Sequence, residues 1–410
     1  MSNPGVLGAI VWEAESAWGE DVTTFATDRV ALTAPVDTSG LVQDKLAPER
    51  VVQYRNDGTA YITGTMGGTF KTKVWLTGHG STMVGSPSIG THETFLALAF
   101  GQAAALSATS STTLTGGTAA VPTTTASGTF SAGGLCRVGA LGDGDGDGQM
   151  YAITTHVTTS LTLRGALNGS PVNGAVLYPV VQLPVPEAPT STAITGTRFL
   201  LQTANLQYEC HGCFPRSVAF SGMNPGELPS AEITWEVSWW RYSTATFPTT
   251  TASVAGAFNP APIAAGSWNV QTVGTTTRNA RSFRNFTLTH TLGIQPLMGP
   301  GGTNQYQKII GARRIPDTIE ISWTEDADAA TTTPVLPGLG TAANLLHGEY
   351  TGSTADGSVF GFACPRMCVT NIATQKIDEN INRLTTTVRA HTSTVTTSAL
   401  TLSSIVYGMA

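Results

Sequence analysis

The chain has 410 residues, a net charge of −6 and no run of Lys or Arg, which excludes sequence-specific reading of nucleic acid because phosphate neutralisation dominates that affinity. Charged residues make up only 12%, about half the usual share, while 41% apolar residues exclude a disordered chain and the length calls for more than one core. Thr, Val, Trp and Tyr suit a pleated, half-buried surface and strong helix formers are scarce, so the expected class is all-β.

The opening MSNPGVLGAIVWEAESAWGED lacks the basic start and apolar core of a secretory signal, and no later stretch reaches the roughly 18 apolar residues of a membrane helix. A soluble product of a reducing cytoplasm is expected. Trp12 and Trp18 sit among Glu13, Glu15, Glu20 and Asp21, a pattern that predicts docking rather than fraying. Residues 36 to 58 mix charges without period and read as a long loop. In TAYITGTMGGTFKTKVWLTG, Ile62, Met66, Phe70 and Val74 share one parity, the period of two of a strand or hairpin, with Gly67 and Gly68 marking a turn, bulge or bend. THETFLALAFGQAAAL, 91 to 106, predicts the one helix, with Thr91 as N-cap and Phe95, Leu98, Ala99, Gln102 and Leu106 on one face.

From Ser107 the sequence turns to Ser, Thr, Gly and Ala, and Pro-rich VQLPVPEAPTST closes the region near 192. The short apolar runs LCRVGAL, MYAITTHV, LTLRGAL and AVLYPVVQL between them predict a small inserted barrel-like module. Long strands follow: RFLLQTANLQYE, RSVAFSG, AEITWEVSWWRYS, FRNFTLTHTLGI, KIIGARRIPDTIEISWTED and INRLTTTVRAHT, with a polar linker from Pro248 to Thr277. The expected organisation is therefore a scaffold over 1–106, an insertion over 107–192 and the rest of the scaffold over 193–410. Residues 206–239 and 286–323 have similar turns and final strands, which raises the hypothesis of a duplicated sandwich.

Cys210 and Cys213, with Cys364 and Cys368, have spacings able to place thiolates around one zinc ion, against which stand buried free thiols or a disulfide. Gly-Asp143-Gly-Asp145-Gly-Asp147-Gly148 opens like a calcium loop, but Thr154 stands where the closing Glu belongs, and a hairpin tip explains it better. No nucleophile elbow, phosphate loop or His beside a carboxylate emerges; His79, His290 and His391 read as structural. Glu13 with Glu15 and Glu232 with Glu236 read as same-face strand glutamates rather than glycosidase pairs. Trp235, Trp239 and Trp240 could stack sugars, but consecutive Trp239 and Trp240 must face opposite ways, which favours burial. No catalytic residue is expected.

Taken in order, ESAWGEDVTTF, the long loop, TAYITGTMGGTFKTKVWL, the helix ETFLALAFG, the unit TLTLRGALNGSPVNGAVLYP and the strands SVAFSGMNPGELPSAEITWEVSWW resemble the tail tube proteins of long-tailed bacteriophages. The resemblance covers about 60% of the chain and carries no catalytic motif. It implies a sandwich or barrel whose sheet joins those of its neighbours into a ring around a DNA channel, in a virion tail assembled in the bacterial host cytoplasm. DNA would pass without specific binding, and other tail proteins would be partners. The resemblance also implies contact with the adjacent ring through the N-terminal segment and the loop, here Trp12, Trp18, Asp44, Lys45, Glu49, Arg50 and Arg55. The extra length makes a trimer of duplicated subunits an alternative to a hexamer. A capsid decoration or baseplate subunit, or a carbohydrate-binding tail module, are the other readings.

Overall fold

The computed structural model describes residues 9–22, 24–25, 30–46, 62–78, 88–100, 103–125, 129–139, 148–171, 173–186, 194–203, 206–245, 247, 266–299, 309–327, 345–352, 359–378, 381–391 and 403–410. The protein is nearly all β, with one helix among the described residues, Thr91–Ala99. The strands obey the alternation written in them. In Ser230–Val237, Ala231, Ile233, Trp235 and Val237 are buried while Glu232, Thr234 and Glu236 lie half-exposed on the other face.

Two units repeat one pairing scheme. In the first, Ala9–Ala14 pairs with Val30–Ala31 and with Thr197–Gln202, and the latter pairs with the start of Gln207–Ser221, which also carries Trp239–Tyr242. The far half of Gln207–Ser221 pairs with Ser230–Val237, that strand with Ile62–Trp75, and that with Leu41–Leu46. In the second, Ser267–Thr272 pairs with Asn279–Arg281 and with Leu346–Thr351, and the latter with the start of Phe360–Asp378, which also carries Ser403–Met409. The far half of Phe360–Asp378 pairs with Ile381–His391, that strand with Thr318–Ala327, and that with Arg284–Thr291.

Chain order and partners coincide strand for strand. Even the irregularities match: the register shifts between Pro215 and Ser217 and between Val369 and Asn371, steps that begin five residues past Cys210 (215 − 210) and past Cys364 (369 − 364). The duplication hypothesised from 206–239 and 286–323 is therefore present in a different alignment. Gln207–Val237 answers to Phe360–His391, and the second unit begins near Ser267.

Each unit is a sandwich folded over its long bent strand. Phe199 of one layer meets Phe70 and Trp235 of the other at 5.2 and 4.7 Å, and in the second unit Trp268 meets Trp323 and Phe286, both at 5.4 Å. Between Thr112 and Tyr178 a six-stranded closed barrel, with its own core of Leu114, Cys136, Tyr151, Ile153, Leu161 and Leu177, stands on the scaffold.

Several expectations need correction. Of the two alternatives over 59–78 the structure has the strand, Ile62–Trp75, which changes partner at Gly68 instead of turning back as a hairpin. The helix ends at Ala99 rather than 106, with Gly90, not Thr91, at its N-cap, and Ala105–Leu106 is a strand. The loop 36–58 contains the strand Leu41–Leu46, and the linker 248–277 contains Ser267–Thr272. Thr112–Gly117 and Pro122–Thr124, in the Ser/Thr/Gly tract, are barrel staves, while Val181–Pro186 belongs to the scaffold beside Ser403–Met409.

Candidate assembly edges

The two units meet edge to edge. Ser217–Ala219 of the first pairs with Thr289–Thr291 of the second, so one sheet runs from unit to unit, and Val181–Pro186 adds to Ser403–Met409 as a second joint. An unpaired strand edge presents a row of N–H and C=O groups whose cost falls when another edge adds to it. Aromatic rings seal the contact: Phe100 at the helix end stacks on Tyr407 at 4.5 Å, and Phe220 on Tyr407 at 5.5 Å.

Behind these rings lies a buried ionic cluster. Arg314 donates to the Phe100 carbonyl (3.0 Å) and to Asp317 (2.7 Å), the other Asp317 oxygen accepts from the Gly293 amide (2.8 Å), and His290 sits 2.9 Å from Asp317. Burial alone would raise the Asp317 carboxyl, but the His290 hydrogen bond and the Arg314 charge hold it below its usual range. Tyr407 Oη lies 3.3 Å from His290 Nδ1, completing a Tyr-His-Asp line. All three side chains are buried within the second unit, and Arg314, bonded to both Asp317 and the Phe100 carbonyl, ties this line to the helix end.

The N-terminal segment docks on its own chain. Trp12 packs on Phe95, and Trp18 packs on Phe214 while donating to the Ile309 carbonyl at 3.0 Å. Arg198 holds Glu13 (2.7 Å) and Glu20 (3.0 Å), and Arg241 holds Asp21 (2.8 Å). Glu15 is buried, accepting from the Gly19 and Gly212 amides, both at 2.8 Å. Burial pushes its carboxyl up to about 7, against those two hydrogen bonds.

No family model matches the chain. No curated protein matches it either.

The remaining predicted residues fall as follows. Trp12 and Trp18, expected between rings, are half-buried within the subunit. Asp44 and Lys45 lie in Leu41–Leu46, with Lys45 opposite Thr63, and Glu49, Arg50 and Arg55 lie outside the described residues. The second unit's counterpart of that loop is the hairpin Ile294–Met298 with Ile309–Arg314, which exposes Leu297, Met298 and Ile310. The run KIIGARRIPDTIEISWTED, expected as one strand, is two, Ile309–Arg314 and Thr318–Ala327, and the first pairs with Ile294–Met298 to make this hairpin.

The four cysteines do not gather. Cys210 and Cys364 occupy the same place in two different units, and among the described residues no three His, Cys, Asp or Glu converge as metal ligands. Burial raises the thiols of Cys210, Cys213 and Cys364, which disfavours the thiolate that zinc requires. Asp143, Asp145 and Asp147 of the calcium-like motif, and His79, lie outside the described residues.

Trp235 and Trp239 are fully buried, Trp239 stacked on His211 at 4.1 Å, and Trp240 is wedged against Tyr208 and Tyr242, so they form no sugar platform. Glu232 and Glu236 pair with Lys71 and Arg216, as strand-face glutamates do. No helix among the described residues is long and apolar enough to cross a membrane.

Proposed function

We propose that the protein is a non-enzymatic structural subunit that joins its own copies edge to edge into rings, stacked as the tail tube of a long-tailed bacteriophage virion. The observation that carries the reading is the duplication with its internal joint: a chain that has already added one sandwich to the edge of another needs only the same contact between chains to continue. With two units per chain, a trimeric ring presents six units to the lumen. The low charge and absent basic runs suit a channel that must release DNA rather than hold it. The exposed apolar hairpin Ile294–Met298/Ile309–Arg314 supplies a surface for stacking between rings.

Negative-stain microscopy of the purified chain tests this. Hollow rings or tubes are the expected result. Monodisperse monomers that bind a defined glycan on an array would sink it in favour of a carbohydrate-binding tail module.

A further inference from the structure

We infer that the strand edge Asn371–Ala373 of one subunit adds to the edge Gly40–Val42 of the next, repeating between chains the joint that Ser217–Ala219 makes with Thr289–Thr291 inside one. The inference rests on the ring reading above and assigns it a register. Both edges follow from the duplication. Counting from Cys210 and Cys364, Ser217 and Asn371 are each seven residues on (217 − 210 and 371 − 364), just past the shared bulge. Ser217–Ala219 has Ser230–Val237 on one side and the second unit on the other. Asn371–Ala373 has Ile381–His391 on one side and, among the described residues, no strand on the other. Its Asn371 and Ala373 are exposed.

The receiving edge is found the same way. Pro215 faces Trp235 and Val369 faces Val388; Trp235 in turn faces Phe70 and Val388 faces Ile321. Phe70 therefore answers to Ile321, and Gly68 to Ile319. His290 faces Ile319, and Leu41 faces Gly68. Thr289–Thr291 thus answers to Gly40–Val42, which in register places Asn371 opposite Val42 and Ala373 opposite Gly40. Val42 is 52% exposed, an apolar side chain left on an edge with no further strand among the described residues. Two groups of this edge already have partners, the Leu41 amide at the Thr38 carbonyl (3.0 Å) and the Val42 carbonyl at Trp240 Nε1 (3.2 Å), so the incoming strand pairs through the groups that remain. Because the donating edge belongs to the second unit and the receiving edge to the first, the contact is head-to-tail, the kind that gives a ring when its rotation closes and an open filament when it does not.

Facing residues on antiparallel strands bring their Cβ atoms within about 4.5–5.5 Å, near disulfide reach. The full chain carrying Cys368→Ser, Asn371→Cys and Val42→Cys is oxidised with copper phenanthroline and run on a non-reducing denaturing gel. The expected result is a covalent ladder ending in one closed species, whereas the two single variants mixed give dimers alone. Moving one thiol by a residue, Ile372→Cys with Val42→Cys, turns it to the other face and abolishes the ladder. Ser217→Cys with Thr291→Cys serves as the intramolecular control. If rings are seen in the microscope and the control closes while the Asn371/Val42 pair stays monomeric, this register is wrong and the ring reading stands. If no rings form, both fall. Hydrogen exchange on the unmodified chain gives an independent readout: amides of 371–373 slow at least tenfold on assembly, and unchanged rates in assembled rings overturn the inference.

Discussion

Glu15 is a carboxylic acid placed where its charge is hard to keep. Two backbone amides point at it, from Gly19 and Gly212, and His211 lies 3.8 Å away, yet burial dominates and its carboxyl titrates at about 7. A folded pKa raised from 4.5 means that the neutral form stabilises the fold fully below about pH 4.5, and that this contribution fades as pH rises to about 7. Glu209 runs the other way: burial would raise it, but hydrogen bonds from Ser243 and Arg241, with His211 3.9 Å away, hold it down to about 2, so its contribution is lost as pH falls below 4.5. Glu15→Gln removes the first titration alone. Measured by urea unfolding, the advantage of the wild type over this variant should shrink by roughly 1–3 kcal/mol between pH 5 and pH 8. A difference that stays constant with pH would show that Glu15 is ionised throughout.

Among the elements, Ile62–Trp75 depends most on one backbone position. Gly68 has φ +122°, and a Cβ there would stand 2.1 Å from the Gly40 carbonyl oxygen, at the point where the strand passes from Leu41–Leu46 to Ser230–Val237. Gly68→Val should cost about 2–4 kcal/mol by denaturant unfolding, combining backbone strain with overpacking. Gly226, with φ +86° and nothing within 4 Å of a Cβ, isolates the strain. Gly226→Ala should cost only about 1 kcal/mol, and equal losses at the two sites would show that close approach is not what selects glycine at 68.

The same strand explains what the sequence could reveal. Its period of two announced a strand, and Phe70 and Val74 are buried on the expected parity, but nothing local says that its two halves serve different neighbours. Phe360–Asp378 went unseen because Pro365 and the shift after Val369 break its alternation, and the register that reveals the duplication lies in pairing rather than identity. The cysteine pairs looked like one metal site for a related reason: spacing along a chain cannot distinguish four ligands from one structural position used twice. Thr112–Gly117 was hidden by composition, since a barrel stave with Leu114 as its one large buried side chain looks like linker.

For the whole molecule, the two sandwiches are not independent beads. Val181–Pro186 leaves the first unit to lie between Ala105–Leu106 and Ser403–Met409, Ser217–Ala219 completes the second unit's sheet, and the barrel packs Leu135, Met150 and Ala152 on the second unit's Val359, Ala363 and Val406. Glu349 accepts from the barrel's Ala152 amide at 3.0 Å while Arg278, whose Nε lies 3.0 Å from Glu349 as a charge contact rather than an aligned hydrogen bond, spreads over the barrel's Tyr151 at 4.3 Å. The counter-charge of Arg278 and hydrogen bonds from His347 and the Ala152 amide hold Glu349 down to about 2 in spite of burial, so the barrel's seat stays ionised across the physiological range.

Division of the chain between Pro248 and Ala265 should therefore yield two fragments that fail separately. The first would expose the edge at Ser217–Ala219 and the loose strand Val181–Pro186, and the second would expose Thr289–Thr291 and Ser403–Met409, each a template for uncontrolled pairing. Expressed alone, both should aggregate. Expressed together, they should copurify as a one-to-one complex by size-exclusion chromatography, because each supplies the edge the other lacks. Two monodisperse, independently folded fragments would mean that the internal edges contribute little to stability, and an edge too weak to hold two halves of one chain together would be too weak to hold separate chains in a ring.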